Sequence, residues 1–135
     1  RYFLNQVADH LLVVENDPLV LRVTKEQLEK WGYKVLTAVN GVEALEVERG
    51  HRGPIDVLLS DVSMPAMDGI QLAQSIKRVR PDMRIALISG FVAKLEASDS
   101  VPPGTIFMQK PIGPERLSQA LRTLIEGRQA AEATA

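Results

Sequence analysis

The sequence has no cysteine, no long apolar run and no surplus of either charge. The absence of cysteine excludes disulfides, thiolate metal sites and a cysteine nucleophile. The net charge is -1, with 16 basic and 17 acidic residues, so nothing favours nucleic acid or an anionic membrane as a partner. The apolar runs are only a few residues long, far too short to span a bilayer. We therefore expect a cytoplasmic domain that contacts neither nucleic acid nor a membrane directly.

Length and apolar content predict a single globular domain. With 135 residues, 45% of them hydrophobic, the chain can form one core and has too few residues for a second. It begins at Arg1 rather than Met and shows no signal-peptide pattern, so we expect a piece excised from a longer polypeptide. Residues 1–9 are predicted as an N-terminal extension, 10–126 as the domain, and 127–135 as a C-terminal tail or linker.

Short apolar runs alternate with helical patterns along the chain. The runs predict strands at residues 11–14, 34–38, 55–59, 84–89 and 105–109. Helices are predicted at about residues 18–31, 41–47, 68–80, 92–99 and 114–125 from apolar periodicity and from capping signals, which are Asp17 before Pro18, Asn40 three residues before Glu43, and Asp68 before Gly69. Near-continuous apolar strands are typical of a parallel sheet covered on both faces. The predicted fold is an α/β three-layer sandwich around a five-stranded parallel sheet.

Polar residues follow the predicted strands at their carboxyl ends, where open parallel sheets bind ligands. They are Glu15, Asn16 and Asp17 after the first strand, Asp61 after the third, Ser89 at the end of the fourth and Lys110 after the fifth. Clustered acids repel one another unless a cation neutralises them, and oxygen ligands without His or Cys suit Mg²⁺. Mg²⁺ beside an ammonium and a hydroxyl can bind a phosphoryl group. An aspartate at such a site can itself be the nucleophile and form an acyl phosphate.

Four stretches of the sequence resemble the motifs of receiver domains from bacterial two-component response regulators. They are LVVENDP at 12–18, SDVSMPAMDG at 60–69, ISG at 88–90 and KP at 110–111. The similarity covers roughly residues 10–126, and the D-x-x-M-P-x-M-D-G element that starts at Asp61 is its most specific part. The resemblance implies the chemotaxis-type receiver fold, with the flavodoxin-like strand order 2-1-3-4-5.

The resemblance also implies a magnesium site and a phosphoacceptor. Asp61 would accept the phosphoryl group and share in metal binding. Glu15 and Asn16 occupy the two positions of the acidic pair that helps to bind Mg²⁺ in the family, and Ser63 would offer its backbone carbonyl. Asn16 departs from the family pattern because its amide brings no charge. We therefore predict weakened Mg²⁺ binding, which need not abolish phosphorylation.

Three further residues match the catalytic and switch positions of the family. Ser89 would donate its hydroxyl to a phosphoryl oxygen, and Lys110 would pair with Asp61 and then with the phosphoryl group. Lys110-Pro111 resembles the family's cis peptide. Phe107 stands where the family often has a switch tyrosine. It can change rotamer, but it cannot make the hydrogen bonds of a tyrosine hydroxyl.

The implied function is to take a phosphoryl group from a histidine kinase or phosphotransfer protein onto Asp61, with Mg²⁺, and to change conformation as a signal. No enzymatic activity is expected beyond Mg²⁺-dependent self-phosphorylation and dephosphorylation. A homodimer is a further expected assembly, and the domain could belong to a hybrid histidine kinase or to a stand-alone regulator.

Three alternative functions differ from this one in the residues that they require. A dinucleotide-binding domain lacks support because no G-x-G-x-x-G follows the first strand. A haloacid dehalogenase-type phosphatase would need a second acid where Ser63 stands. The serious alternative is a degenerate receiver that binds proteins independently of phosphorylation. Asn16 favours it, whereas Asp61, Ser89 and Lys110 argue against it.

Overall fold

A computed structural model describes residues 9–134, with side chains for residues 9–127. The predicted N-terminal extension therefore lies outside the described residues, apart from Asp9. The elements are β1 His10–Val14, α1 Pro18–Lys30, β2 Lys34–Ala38, α2 Gly41–Gly50, β3 Val57–Asp61, α3 Gly69–Val79, β4 Arg84–Ser89, α4 Val92–Glu96, β5 Ile106–Gln109 and α5 Pro114–Thr134.

The five strands form one parallel sheet in the order β2-β1-β3-β4-β5. This confirms the predicted flavodoxin-like order. Helices α1 and α5 pack on one face, where Leu28 and Leu121 join the core, and α2 and α3 pack on the other, where Ala44 and Leu72 do so. The three-layer sandwich is therefore confirmed.

The strands are apolar on both faces because helices cover both. In β1, Leu11 and Val13 belong to the core under α1 and α5, whereas Leu12 and Val14 belong to the core under α2 and α3. All four side chains are at most 2% exposed. Successive side chains of a strand point to opposite faces of the sheet, and both faces are buried here. Apolar residues therefore follow one another along the strand, which gives the continuous apolar runs from which the parallel sheet was predicted.

Side-chain caps begin the first three helices at the predicted positions. Asp17 accepts hydrogen bonds from the first turn of α1, which has Pro18 at its start. Asn40 accepts from the backbone N–H of Glu43 at 2.8 Å at the start of α2. Asp68 forms a capping box with Gln71 at the start of α3. These caps satisfy N–H groups that have no partner inside the helix, and so they fix where each helix leaves the sheet edge.

The prediction for β3 was wrong by two residues, because the strand spans Val57–Asp61 rather than 55–59. Ile55 is buried and apolar, so hydrophobicity alone included it. Pairing with the neighbouring strands decides the boundary, and the ladder continues beyond the apolar residues to Ser60 beside Val14 and Asp61 beside Ile88. Asp61 is therefore the last residue of the central strand rather than part of a loop.

Three helix ends also differ from prediction, and the first is that of α2, which continues to Gly50 rather than ending near residue 47. Helix α4 ends at Glu96 instead of residue 99, and α5 continues to Thr134 instead of ending near residue 125. Most of the segment predicted as a tail is thus helical. Alanine and glutamate after Gly127 favour helix, and one glycine costs only about 1 kcal/mol. No helix within residues 9–134 has the length and hydropathy needed to cross a membrane.

Truncation of a buried leucine on α3 tests the packing between this helix and the sheet. Leu72 is 0% exposed, whereas Val79 on the same helix is 59% exposed. We expect Leu72→Ala to lower the free energy of unfolding by about 3 kcal/mol, because it leaves a cavity in the core. We expect Val79→Ala to change it by less than about 0.5 kcal/mol. Urea unfolding measures both, and equal losses would contradict the described packing.

Candidate functional site

The register of the sheet brings the predicted site residues to one edge. Val14 pairs with Ser60, so the next residues, Glu15 and Asp61, lie at the same level. Ser89 pairs with Gln109 at the ends of β4 and β5. Lys110 follows directly, and its backbone N–H donates to the carbonyl of Ser89 at 2.9 Å. The carboxyl ends of four neighbouring strands therefore supply the polar groups of the site.

The one side-chain ion pair described at this edge joins Asp61 and Lys110. Lys110 Nζ donates to Asp61 Oδ2 at 2.7 Å, and the Lys110-Pro111 peptide is cis, as the resemblance implied. The Asp61 side chain is 5% exposed and the Lys110 side chain 44%. The buried member of the pair is thus the carboxylate. A buried carboxylate is costly without a partner, so Asp61 depends on Lys110.

Backbone contacts hold the other oxygen of Asp61 and the loop that follows it. Oδ1 accepts from the backbone N–H of Ser63 at 3.2 Å. Gly69 then packs against the start of this loop and donates its N–H to the carbonyl of Val62 at 2.9 Å. A Cβ atom at Gly69 would overlap the Asp61 carbonyl and would lie 2.9 Å from Val62 Cα. Glycine is therefore required for the backbone of α3 to approach Asp61 this closely.

The acidic pair of the family is represented by one half-buried carboxylate and one exposed amide. Glu15 Oε2 accepts from the backbone N–H of Asp17 at 3.1 Å, and its charge reaches Lys110. Asn16 is exposed. Asp17 faces α1 as its N-cap, so it does not replace the missing acid.

A cavity of about 580 Å³ opens beside Asp61. Its polar lining is Glu15, Thr24, Asp61 and Lys110, and the remaining lining is apolar: Val13, Val14, Val20, Leu59, Ile88, Pro111, Ile112 and Leu117. Asn16, Ser63, Ser89 and Phe107 do not line it. The structure therefore brings three of the predicted site residues, Glu15, Asp61 and Lys110, to one cavity.

The two predicted switch residues lie away from this cavity. Ser89 is half-buried, and its Oγ accepts from the backbone N–H of Phe91 at 2.9 Å. Phe107 is half-buried in β5 and packs against the core under α2 and α3. Its carbonyl accepts from Arg116 Nη2 at 3.2 Å. Both residues are thus engaged in contacts that a conformational change would have to alter.

The oxygen donors at this edge suit a hydrated Mg²⁺ better than a metal ion that requires several acidic ligands. No group of three or more His, Cys, Asp or Glu side chains that could hold a metal occurs within residues 9–127. Oxygen donors come from the Glu15 and Asp61 carboxylates, with the Ser63 carbonyl and the Asn16 amide nearby in sequence. Mg²⁺ keeps several waters and needs only one or two carboxylates. The residues therefore fit this ion, with less negative charge than a full acidic pair would give.

Sequence reasoning missed two residues that shape the site. The close approach of Gly69 could have been found from the Asp-Gly dipeptide that opens α3, because glycine is common where two backbones meet. Gln109 bridges the end of β5 to the β4–α4 loop. No pattern in the sequence signals that role, because it depends on the register between β4 and β5.

The pKa of Lys110 is raised above its ordinary value of 10.5. The largest cause is the hydrogen bond to Asp61, which partial burial opposes, and the charges of Asp61 and Glu15 raise the pKa further. Lys110 is therefore fully protonated at neutral pH and able to neutralise an anion at this edge.

Neutralising Lys110 tests the ion pair through its dependence on pH. We expect Lys110→Met to lower the free energy of unfolding at neutral pH by about 1 kcal/mol, since solvent screens the half-exposed lysine. The pKa is raised in the folded protein, so the stabilisation is complete below about pH 10.5 and disappears as the pH rises through the folded pKa. Urea unfolding of wild type and of Lys110→Met from neutral to alkaline pH measures the difference between their free energies of unfolding.

The exposed lysine of α4 provides the control. Lys94→Met should leave the free energy of unfolding nearly unchanged over the same pH range. A difference between wild type and Lys110→Met that stays constant through the alkaline range would contradict the described ion pair.

Comparisons with known proteins agree with the fold and identify the family. The profile of the response regulator receiver domain matches residues 11–122. The transcriptional regulatory protein GlrR of Escherichia coli (strain K12) is 35% identical over 126 residues, which are 93% of this chain and 28% of GlrR. The response regulator receiver protein CpdR of Brucella abortus (strain 2308) is 40% identical over 93 residues, which are 69% of this chain and 76% of CpdR.

A solved structure shows the same architecture. The response regulator receiver protein from Sinorhizobium medicae WSM419 superposes with a TM-score of 0.80 at 27% identity, covering 90% of this chain and 97% of that one. The chain spans less than a third of the length of GlrR. It belongs to the response regulator receiver domain family of two-component signalling systems.

Proposed function

We propose that this domain accepts a phosphoryl group on Asp61 from a histidine kinase or a histidine phosphotransfer protein. The supporting observation is the 2.7 Å ion pair between Lys110 and a carboxylate that is only 5% exposed. The cavity of about 580 Å³ beside this pair is larger than a phosphoryl group. A histidine kinase or phosphotransfer protein as phosphoryl donor implies a cytoplasmic location for the domain. Formation of a homodimer stays a prediction.

The proposed reaction transfers the phosphoryl group between two protein side chains. An oxygen of the Asp61 carboxylate attacks phosphorus, a new O–P bond forms, and the P–N bond to the donor histidine breaks with its electron pair left on the imidazole. Lys110 already lies beside Asp61 and would move its hydrogen bond to a phosphoryl oxygen. Because the lysine is positively charged before the reaction, it can neutralise the transferred charge without a proton transfer.

Mg²⁺ would supply further neutralisation of the phosphoryl oxygens. Glu15, Asp61 and the Ser63 carbonyl are the donors that we assign to it, with Asn16 as a neutral ligand. Glu15 and Asp61 also hold the Lys110 ammonium in place by their charges. Loss of either carboxylate would therefore weaken both the cation site and the orientation of the lysine.

The signal would follow from a change in the surroundings of the new acyl phosphate. Ser89 would turn its hydroxyl toward a phosphoryl oxygen and give up the hydrogen bond that it accepts from Phe91. Phe107, packed on the α2/α3 side of the sheet, would then change its packing with β4 and α4. A ligand that binds one of two packings more tightly shifts the population toward it, and the phosphoryl group acts here in that way.

Restoring the missing acid tests the assignment of Asn16. We expect Asn16→Asp to bind Mg²⁺ about tenfold more tightly, because one more carboxylate charge faces the ion. Asn16→Ala should bind Mg²⁺ no more tightly than wild type. Calorimetric titration with Mg²⁺ measures the affinities. Equal affinities for wild type and Asn16→Asp would remove residue 16 from the proposed metal site.

Phosphorylation by a small donor tests the proposed function itself. We expect the domain to gain the mass of one phosphoryl group with Mg²⁺ and acetyl phosphate, as measured by intact-protein mass spectrometry. Asp61→Asn should not gain this mass. Asp68→Asn is the matched control, since Asp68 caps the helix after the same loop, and it should be modified like wild type.

The contrary result would favour the degenerate receiver. If neither acetyl phosphate nor a histidine kinase modifies the wild-type domain, Asp61 is not a phosphoacceptor. The domain would then act as a protein-binding module that is independent of phosphorylation.

A further inference from the structure

Gln109 connects the end of β5 to the loop that follows β4. Its Nε2 donates to the carbonyl of Gly90 at 2.6 Å, and its Oε1 accepts from the backbone N–H of Val92 at 3.2 Å. A side-chain amide can satisfy such a carbonyl and N–H together, whereas a carboxylate has no donor and an ammonium has no acceptor. Glutamine therefore matches both backbone groups of this loop.

The same contact supplies a cap for a helix that has no cap of its own. Helix α4 is five residues long, and Phe91 at its N-cap position makes no side-chain capping hydrogen bond. The N–H of Val92, the first residue of α4, is satisfied by Gln109 instead. Because short helices depend on such contacts, the start of α4 depends on a side chain from β5.

Ser89 lies at the beginning of the loop that Gln109 bridges. Its Oγ accepts from the N–H of Phe91, and Phe91 lies between Gly90 and Val92, the two residues that Gln109 contacts. With the backbone fixed on both sides of Phe91, the hydrogen bond from Phe91 to Ser89 keeps its geometry. The hydroxyl of Ser89 is thereby held in a local contact within the loop.

We propose that Gln109 is a positioning residue that stabilises the unphosphorylated arrangement of the β4–α4 loop and so controls how readily Ser89 reaches the phosphoryl group. The proposal rests on the proposed function of Asp61. When Ser89 turns toward the phosphoryl group, Phe91 loses its acceptor and the loop must move. The two hydrogen bonds of Gln109 oppose that movement. Contacts made in only one of two arrangements shift the equilibrium toward it.

The first test needs no phosphorylation. Gln109→Met keeps the size of the side chain and removes its amide, and Gln119→Met makes the same change at an exposed position on α5. We expect amide hydrogen exchange at Val92, measured by NMR, to be about fivefold faster in Gln109→Met and unchanged in Gln119→Met. Equal exchange at Val92 in wild type and Gln109→Met would overturn the proposal.

The second test measures the affinity for beryllofluoride, which mimics a phosphoryl group when bound to a carboxylate. In the presence of Mg²⁺, we expect Gln109→Met to bind beryllofluoride about fivefold more tightly than wild type, because the two hydrogen bonds that oppose the movement of the β4–α4 loop are gone. The increase should disappear when Gln109→Met is combined with Ser89→Ala, since the two residues act through one loop. A loss of structure alone would weaken binding in both backgrounds.

The remaining outcomes are distinguishable. Unchanged or weaker binding by Gln109→Met, or the same increase with and without Ser89, would overturn the role of Gln109 while leaving phosphorylation of Asp61 intact. If wild type itself binds no beryllofluoride and accepts no phosphoryl group, the proposed function fails, and the role of Gln109 in switching fails with it.

Discussion

The ion pair between Asp61 and Lys110 joins the central strand β3 to the end of β5, across the intervening strand β4. A carboxylate that is 5% exposed needs a cation within contact distance, and Lys110 can reach it only if three strands keep their register. The fold therefore determines the chemistry of the site directly. A slip of one residue in β4 or β5 would turn the side chains to the other face and separate the pair.

The site combines a buried carboxylate with groups that remain accessible. Asp61 is held from one side by Lys110 and from the other by the N–H of Ser63, and it also lines the neighbouring cavity. Glu15 adds one negative charge, and the total negative charge stays below that of a full acidic cluster. Such surroundings suit a carboxylate that is oriented before a reaction. The donors that hold it could then transfer their hydrogen bonds to the oxygens of a phosphoryl group. Ser89 and Gln109 then couple the same edge of the sheet to the start of α4.

The sequence allowed prediction of the sheet order, most element positions, the caps at Asp17, Asn40 and Asp68, and the meeting of Glu15, Asp61 and Lys110. These features follow from local patterns, from the geometry of parallel sheets and from the family resemblance. The end of β3 could not be predicted because pairing with Val14 and Ile88, not hydrophobicity, extends the strand to Asp61. The end of α5 could not be predicted because glycine at residue 127 is typical of a helix end, whereas the helix formers after it continue the helix. The contact of Gln109 depends on the register of β4 and β5, which no local pattern encodes.

The central claim is that Asp61, rather than any neighbouring hydroxyl or carboxylate, carries the phosphoryl group. Borohydride reduces an acyl phosphate of aspartate to homoserine, whereas phosphoserine survives this treatment. The domain would be incubated with Mg²⁺ and acetyl phosphate, reduced, digested and sequenced by mass spectrometry. We expect homoserine at position 61, with Asp68 and Glu15 unchanged. Phosphate on Ser63 or Ser89, or homoserine at position 68 instead of 61, would contradict this account of the site.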